Sequence, residues 1–145
     1  MKLLKFTVAM LVMLTTLGFT ACGDDEEDPE KVMDELIKQV ELEEALVGTW
    51  KSVSYTSTEN GEEYYAASDA KNYILITFTE ATVTIKTYIN GEEDVEERET
   101  STYTVKGNKI IDDDGEEMTF EINGNTLTLT SIDNGQKGII VLKRQ

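Results

Sequence analysis

The chain has 145 residues, 29 of them acidic and 13 basic, for a formal net charge of −16 at pH 7. That balance repels nucleic acid and anionic headgroups and favours solubility. With no histidine and a single cysteine, the chain has no imidazole general base, no ordinary zinc site and no intrachain disulfide.

Met1 to Lys5 forms a short positive head, and Phe6 to Phe19 is an uncharged, mostly apolar run of 14 residues. A permanent membrane helix needs roughly 20 apolar residues, whereas a signal peptide needs only such a run followed by small residues. Thr20 and Ala21 supply those, and the lone cysteine, Cys22, comes next. An ordinary cleaved signal with a chance thiol beside it is the other reading, but it leaves an unpaired thiol open to oxidation in an exported protein. Phe19-Thr20-Ala21-Cys22 resembles a bacterial lipobox, with Phe19 in place of the more familiar leucine. The resemblance implies cleavage before Cys22, diacylglycerol on its sulfur and acylation of the new amine, which together anchor the chain to a membrane. Loss of residues 1–21 removes Lys2 and Lys5 and no acid, leaving 11 basic and 29 acidic residues and a formal charge of −18.

Residues 22–28 read as an acidic tether with nothing to bury. The acidic run after Cys22 also resembles the surface-export signal of Bacteroides-type lipoproteins, which implies an outer membrane lipoprotein on the cell surface; a generic linker and a periplasmic location stay open. Asp28 then caps a predicted helix over 29–46, with Pro29 at the first helical position. Val32, Leu36 and Val40, flanked by Met33 and Ile37, form one apolar stripe, and Glu41 to Leu46 continue it with a shifted stripe. Packing on the chain's own domain and binding a partner both suit such a helix.

After Gly48 the periodicity changes from four to two. Alternation predicts strands at Thr49–Tyr55 (Trp50, Ser52 and Ser54 on one face), Tyr73–Phe78, Val83–Thr87, Thr100–Val105, Met118–Ile122 and Leu127–Thr130. The short Lys109–Ile111 piece and Ile139–Leu142, which lacks alternation but ends the chain as a strand, make eight. Asn90-Gly91, Asp114-Gly115, Asn123-Gly124 and Asn134-Gly135 are hairpin dipeptides, and connections after residue 82 are too short for crossover helices. The expectation is an all-β domain over 47–145: an eight-stranded antiparallel up-and-down barrel preceded by a short helix, closed so that no edge is left. The long Thr56–Asn72 link, with Tyr64 and Tyr65, is expected to cross one open end as a lid.

Gly48-Thr49-Trp50, set before such a meander, and Arg144 near the chain end resemble the Gly-x-Trp entry and the closing arginine of lipocalins and lipocalin-like bacterial lipoproteins. The resemblance covers residues 46–145 and implies a structural signature of Gly48, Trp50 and Arg144, with the arginine packed over the indole. With no histidine and with the acids placed mainly at turns and in the tether, an enzyme is not expected. Absent disulfides, short length and the lack of a C-terminal helix distinguish the chain from secreted lipocalins.

Tyrosine joins apolar area to a hydroxyl handle, so Tyr64 and Tyr65 at the mouth with Ile85, Tyr103 and Phe120 below are the candidate contacts for a small amphipathic ligand. The same residues serve equally to fill a small barrel, which would leave a surface or periplasmic protein-interaction module. Asp112 to Glu117 is acidic but lacks the order of a calcium loop, and the remaining acids cluster at turns, where paired carboxylates for glycoside hydrolysis are not expected. No metal, cofactor or catalytic residue is assigned.

Overall fold

The computed structural model describes residues 28–145. The signal peptide, Cys22 and all of the acidic tether except Asp28 lie outside the described residues. Two units divide between Glu35 and Leu36. In the first, the Asp28 carboxylate accepts the Glu30 N–H at 3.1 Å and the Asp28 carbonyl accepts from Val32, so helix α1 (Pro29–Leu46) starts on an acidic cap.

The second unit, from Leu36 onward, holds the end of α1 and nine strands: β1 (Gly48–Glu59), β2 (Glu62–Ala67), β3 (Tyr73–Phe78), β4 (Thr82–Ile89), β5 (Glu92–Lys106), β6 (Lys109–Asp112), β7 (Glu117–Asn123), β8 (Thr126–Asp133) and β9 (Gln136–Arg144). Every pairing is antiparallel; the order is β2-β1-β3 and then sequential to β9, and β1 also pairs with β9. That last pairing joins the ends of the sheet. β1 and β3 to β9 make the closed eight-stranded barrel, and β2 is a ninth strand hung on the far half of β1. The turns explain the order: Asn60, Asn90 and Asn134 have φ of 52°, 56° and 49°, each followed by a glycine at positive φ, as two-residue hairpins require.

Cross-strand partners share a face, so the register identifies the interior. Trp50 opposes Ile76 and Arg144, Phe78 opposes Val83, and Phe120 opposes Leu129. Leu46, Trp50, Ile76, Phe78, Ile110, Phe120, Leu127, Leu129 and Leu142 are buried as one core, and Ile74, Ile85, Met118 and Ile140 pack against it half-buried. Side chains thus fill the middle of the barrel. On α1, Leu46 is fully buried and Leu42 packs on the core, while Ile37 remains exposed; the shifted stripe, not the Leu36–Ile37 one, carries the packing.

Three expectations need correction. Thr56–Asn72 is not a lid: Asn60-Gly61 folds the chain straight back, so β2 pairs with β1 from Glu59↔Glu62 to Ser54↔Ala67, exposed along its whole length. The rest of that link is tied sideways, with Asp69 capping Lys71 and Asn72 and the Lys71 carbonyl accepting from Gly91. The face assignment of the first strand also changes. A bulge between Ser52 and Ser54 moves Tyr55 opposite Ile140, onto the interior face that Ser54 was expected to hold. Finally, the fourth strand begins at Glu92 rather than near Thr100, with a register shift opposite Lys86 accommodating the extra acidic residues.

Candidate functional site

The two ends of the barrel differ. At one end the last turn of α1 meets the start of β1 and the end of β9. The Trp50 indole N–H donates to the Leu46 carbonyl at 2.9 Å, and the Arg144 guanidinium lies over the indole with its carbon 4.2 Å from the ring centroid. Arg144 also donates to the carbonyls of Val47 and Ala45. α1 has no basic residue in its last turn, so Arg144 brings from β9 the cation that a helix C-terminus attracts. Gly48, at φ 141°, passes so close that a Cβ there would lie 2.7 Å from Arg144 Nη1. These groups close that end with every buried polar side-chain atom of the described residues hydrogen-bonded.

The five residues expected to bind ligand are not brought together. Phe120 is in the core, Ile85 packs against it, and Tyr103 meets Phe78 edge-on with ring centroids 5.5 Å apart. The Tyr103 hydroxyl donates to the Thr79 carbonyl at 2.6 Å; burial first, then the charges of Glu43 and Glu80, push this phenol above its ordinary pKa. Tyr64 and Tyr65 stand 70% and 64% exposed on β2, away from the other three. The tyrosines separate because β2 is a hairpin arm.

A half-open hollow of about 360 Å³ does exist, in the side of the barrel. Unequal strand lengths create it. β6 has four residues and β7 seven; their register ends at Lys109↔Thr119, with one further bond from the Phe120 N–H to the Asn108 carbonyl. Beyond it the far end of β7 pairs only with β8, through Glu121↔Thr128, Ile122↔Leu127 and Asn123↔Thr126. α1 lies across this gap, where Gln39 donates to the Val105 carbonyl and accepts from the Gly107 N–H. Leu42, Phe120 and Ile122 give the hollow apolar contact, and Asn108, Thr119, Glu121, Thr128 and Thr130 give it polar groups. The volume falls within the roughly 300–1,000 Å³ of small-molecule sites. Of the predicted contacts only Phe120 lines it. The sequence signal for the rest was the brevity of the Lys109–Asp112 strand beside its longer neighbour.

Among the described residues no three His, Cys, Asp or Glu side chains converge on a metal position. The Asp112 carboxylate instead accepts the N–H groups of Asp114 and Glu116, at 3.0 and 2.8 Å, and so shapes the β6–β7 turn. No described helix is long and apolar enough to cross a membrane.

No curated protein matches the chain. The sequence pattern of the Lipocalin-like domain family matches residues 46–129, more than half of the chain and the stretch from the buried Leu46 through β1 to the core residue Leu129. With that match on a closed eight-stranded meander, the chain belongs to the lipocalin-like domain family.

Proposed function

We propose that this chain is a non-enzymatic, membrane-anchored lipoprotein that holds a small amphipathic molecule in the hollow between α1 and β7–β8. The carrying observation is that hollow, lined by apolar Leu42, Phe120 and Ile122 and by Thr119, Thr128 and Thr130. A lipocalin-like barrel is consistent with binding a small hydrophobic molecule, and the polar groups suit a ligand with one wet end. The anchor is lipid on Cys22, at the outer membrane, on its surface or periplasmic side; its support is the signal-like leader and the small-residue site before Cys22.

Among the described residues every core residue lies between Leu46 and Leu142, so a chain starting at Asp28 retains that core and suits a binding experiment free of lipid. Octanol, a short amphiphile, should bind this chain at one saturable site by calorimetry, and Thr128→Trp, which fills the hollow, should remove it. Binding that survives Thr128→Trp places the ligand elsewhere.

One observation favours a second reading, a protein-interaction module. The middle of the barrel is filled, and among the described residues the outer edge of β2 is unpaired, with Tyr64 and Tyr65 exposed beside it. Such an edge is a template for an added strand. Absence of octanol binding, with Tyr64→Ser and Tyr65→Ser abolishing capture of a protein from the cell envelope, would put this reading first.

A further inference from the structure

The lateral hollow has a chemical polarity. Its eight lining residues include a carboxylate, Glu121, and no lysine or arginine. The Thr119, Thr128 and Thr130 hydroxyls have no hydrogen-bonded side-chain partner among the described residues, and both accept and donate. The backbone adds an acceptor. In an antiparallel strand a residue directs its N–H and C=O to the same side, and alternate residues share that side. The Phe120 N–H points to the Asn108 carbonyl, so the Ile122 peptide groups point the same way, past the end of the β6 ladder and toward the hollow. Register puts Glu121, Thr128, Thr119 and Thr130 together on the face of β7–β8 opposite to Phe120 and Ile122. A positively charged head on that side thus has a carboxylate and hydroxyl oxygens to donate to, with the Ile122 carbonyl at the strand edge between the two sides. An anionic head meets one carboxylate and the field of a chain with net charge −16.

We infer that the ligand of this hollow is a cationic amphiphile: an amine whose short apolar tail lies on Leu42, Phe120 and Ile122 and whose ammonium donates to Glu121. This rests on the hollow being the binding site. The inference adds the sign of the head group, which neither the family nor the barrel dictates.

Three probes of equal tail length separate the two claims: octylammonium, octanol and octanoate, titrated into the chain from Asp28. Octylammonium should bind about five- to tenfold more tightly than octanol, the range for one partly screened charge-assisted hydrogen bond, and octanoate should bind most weakly. Glu121→Gln should bring the octylammonium-to-octanol ratio near one. Glu62→Gln removes the same formal charge from β2, remote from the hollow in the register, and should leave the ratio intact, which distinguishes a local carboxylate from the overall field. Equal affinities for the three probes, or a ratio that falls equally in both variants, would overturn the cationic assignment while leaving the binding site standing. Failure of all three to bind would overturn the binding site itself, and the assignment with it.

Discussion

Arg144 and Trp50 occupy directly opposite positions on β9 and β1, and the guanidinium lies over the indole with its carbon 4.2 Å from the ring centroid. The two strands are the last and first of the barrel, so this contact exists only because the sheet closes. It joins three elements at once, since the same guanidinium holds the Ala45 and Val47 carbonyls at the end of α1.

Arg144→Ala should lower stability by about 1–2 kcal/mol through lost stacking and lost carbonyl contacts. Trp50→Ala should cost more, about 3–5 kcal/mol, because a fully buried indole leaves a cavity. Denaturant melts of both variants and the double variant should return a coupling of at least about 0.5 kcal/mol. Strict additivity, with Trp50 emission unmoved by Arg144→Ala, would mean that the groups do not touch in solution.

Gly48 is constrained twice, by its φ of 141° and by the 2.7 Å approach of Arg144 Nη1 to any Cβ placed there. Gly48→Ala should destabilise by about 1–3 kcal/mol. Adding Arg144→Ala removes the clash but not the backbone strain, so Arg144→Ala should cost less on top of Gly48→Ala than in the native chain. A full additive cost would indicate that the guanidinium swings clear of the new methyl.

Tyr103 provides a pH test. Its folded pKa is raised, chiefly by burial and then by Glu43 and Glu80. The fold therefore holds the proton more tightly than the unfolded chain does, so the contribution is fully present below the ordinary phenol range near pH 10 and is lost as pH rises through the folded pKa. Thermal melts should show the native chain losing stability above about pH 10 more steeply than Tyr103→Phe. Parallel curves would show that Tyr103 titrates as an ordinary tyrosine.

The anchor is testable apart from the fold. Full-length protein made in a lipoprotein-processing bacterium should enter the detergent phase on phase separation, whereas Cys22→Ala should stay aqueous or remain unprocessed. Equal partitioning of processed native and variant chains would remove the lipid from the account.

Much of the barrel was legible because its signals are local. Asn90-Gly91 and Asn134-Gly135 announce hairpins through backbone that few other pairs tolerate, and the alternation in Met118–Ile122 and Leu127–Thr130 marks a face directly. β2 escaped notice because Glu62–Ala67 buries no face, so it has no period to find. The bulge at Ser52–Ser54 escaped because it is defined against β9, and inserting one residue there reverses the parity that sequence alternation extrapolates. The hollow lay further out of reach. It depends on where the β6 and β7 registers end and on which stripe of α1 covers the gap, neither of which is encoded in one segment.

Binding in the hollow is tested most directly by mapping amide shifts of an isotope-labelled chain from Asp28 during titration with octanol. Saturable shifts should concentrate at Asn108, Thr119 to Ile122, Thr128 and Thr130, with little change at Tyr64 and Tyr65 on β2. Shifts centred instead on Tyr64 and Tyr65, or no saturable shifts at all, would contradict it.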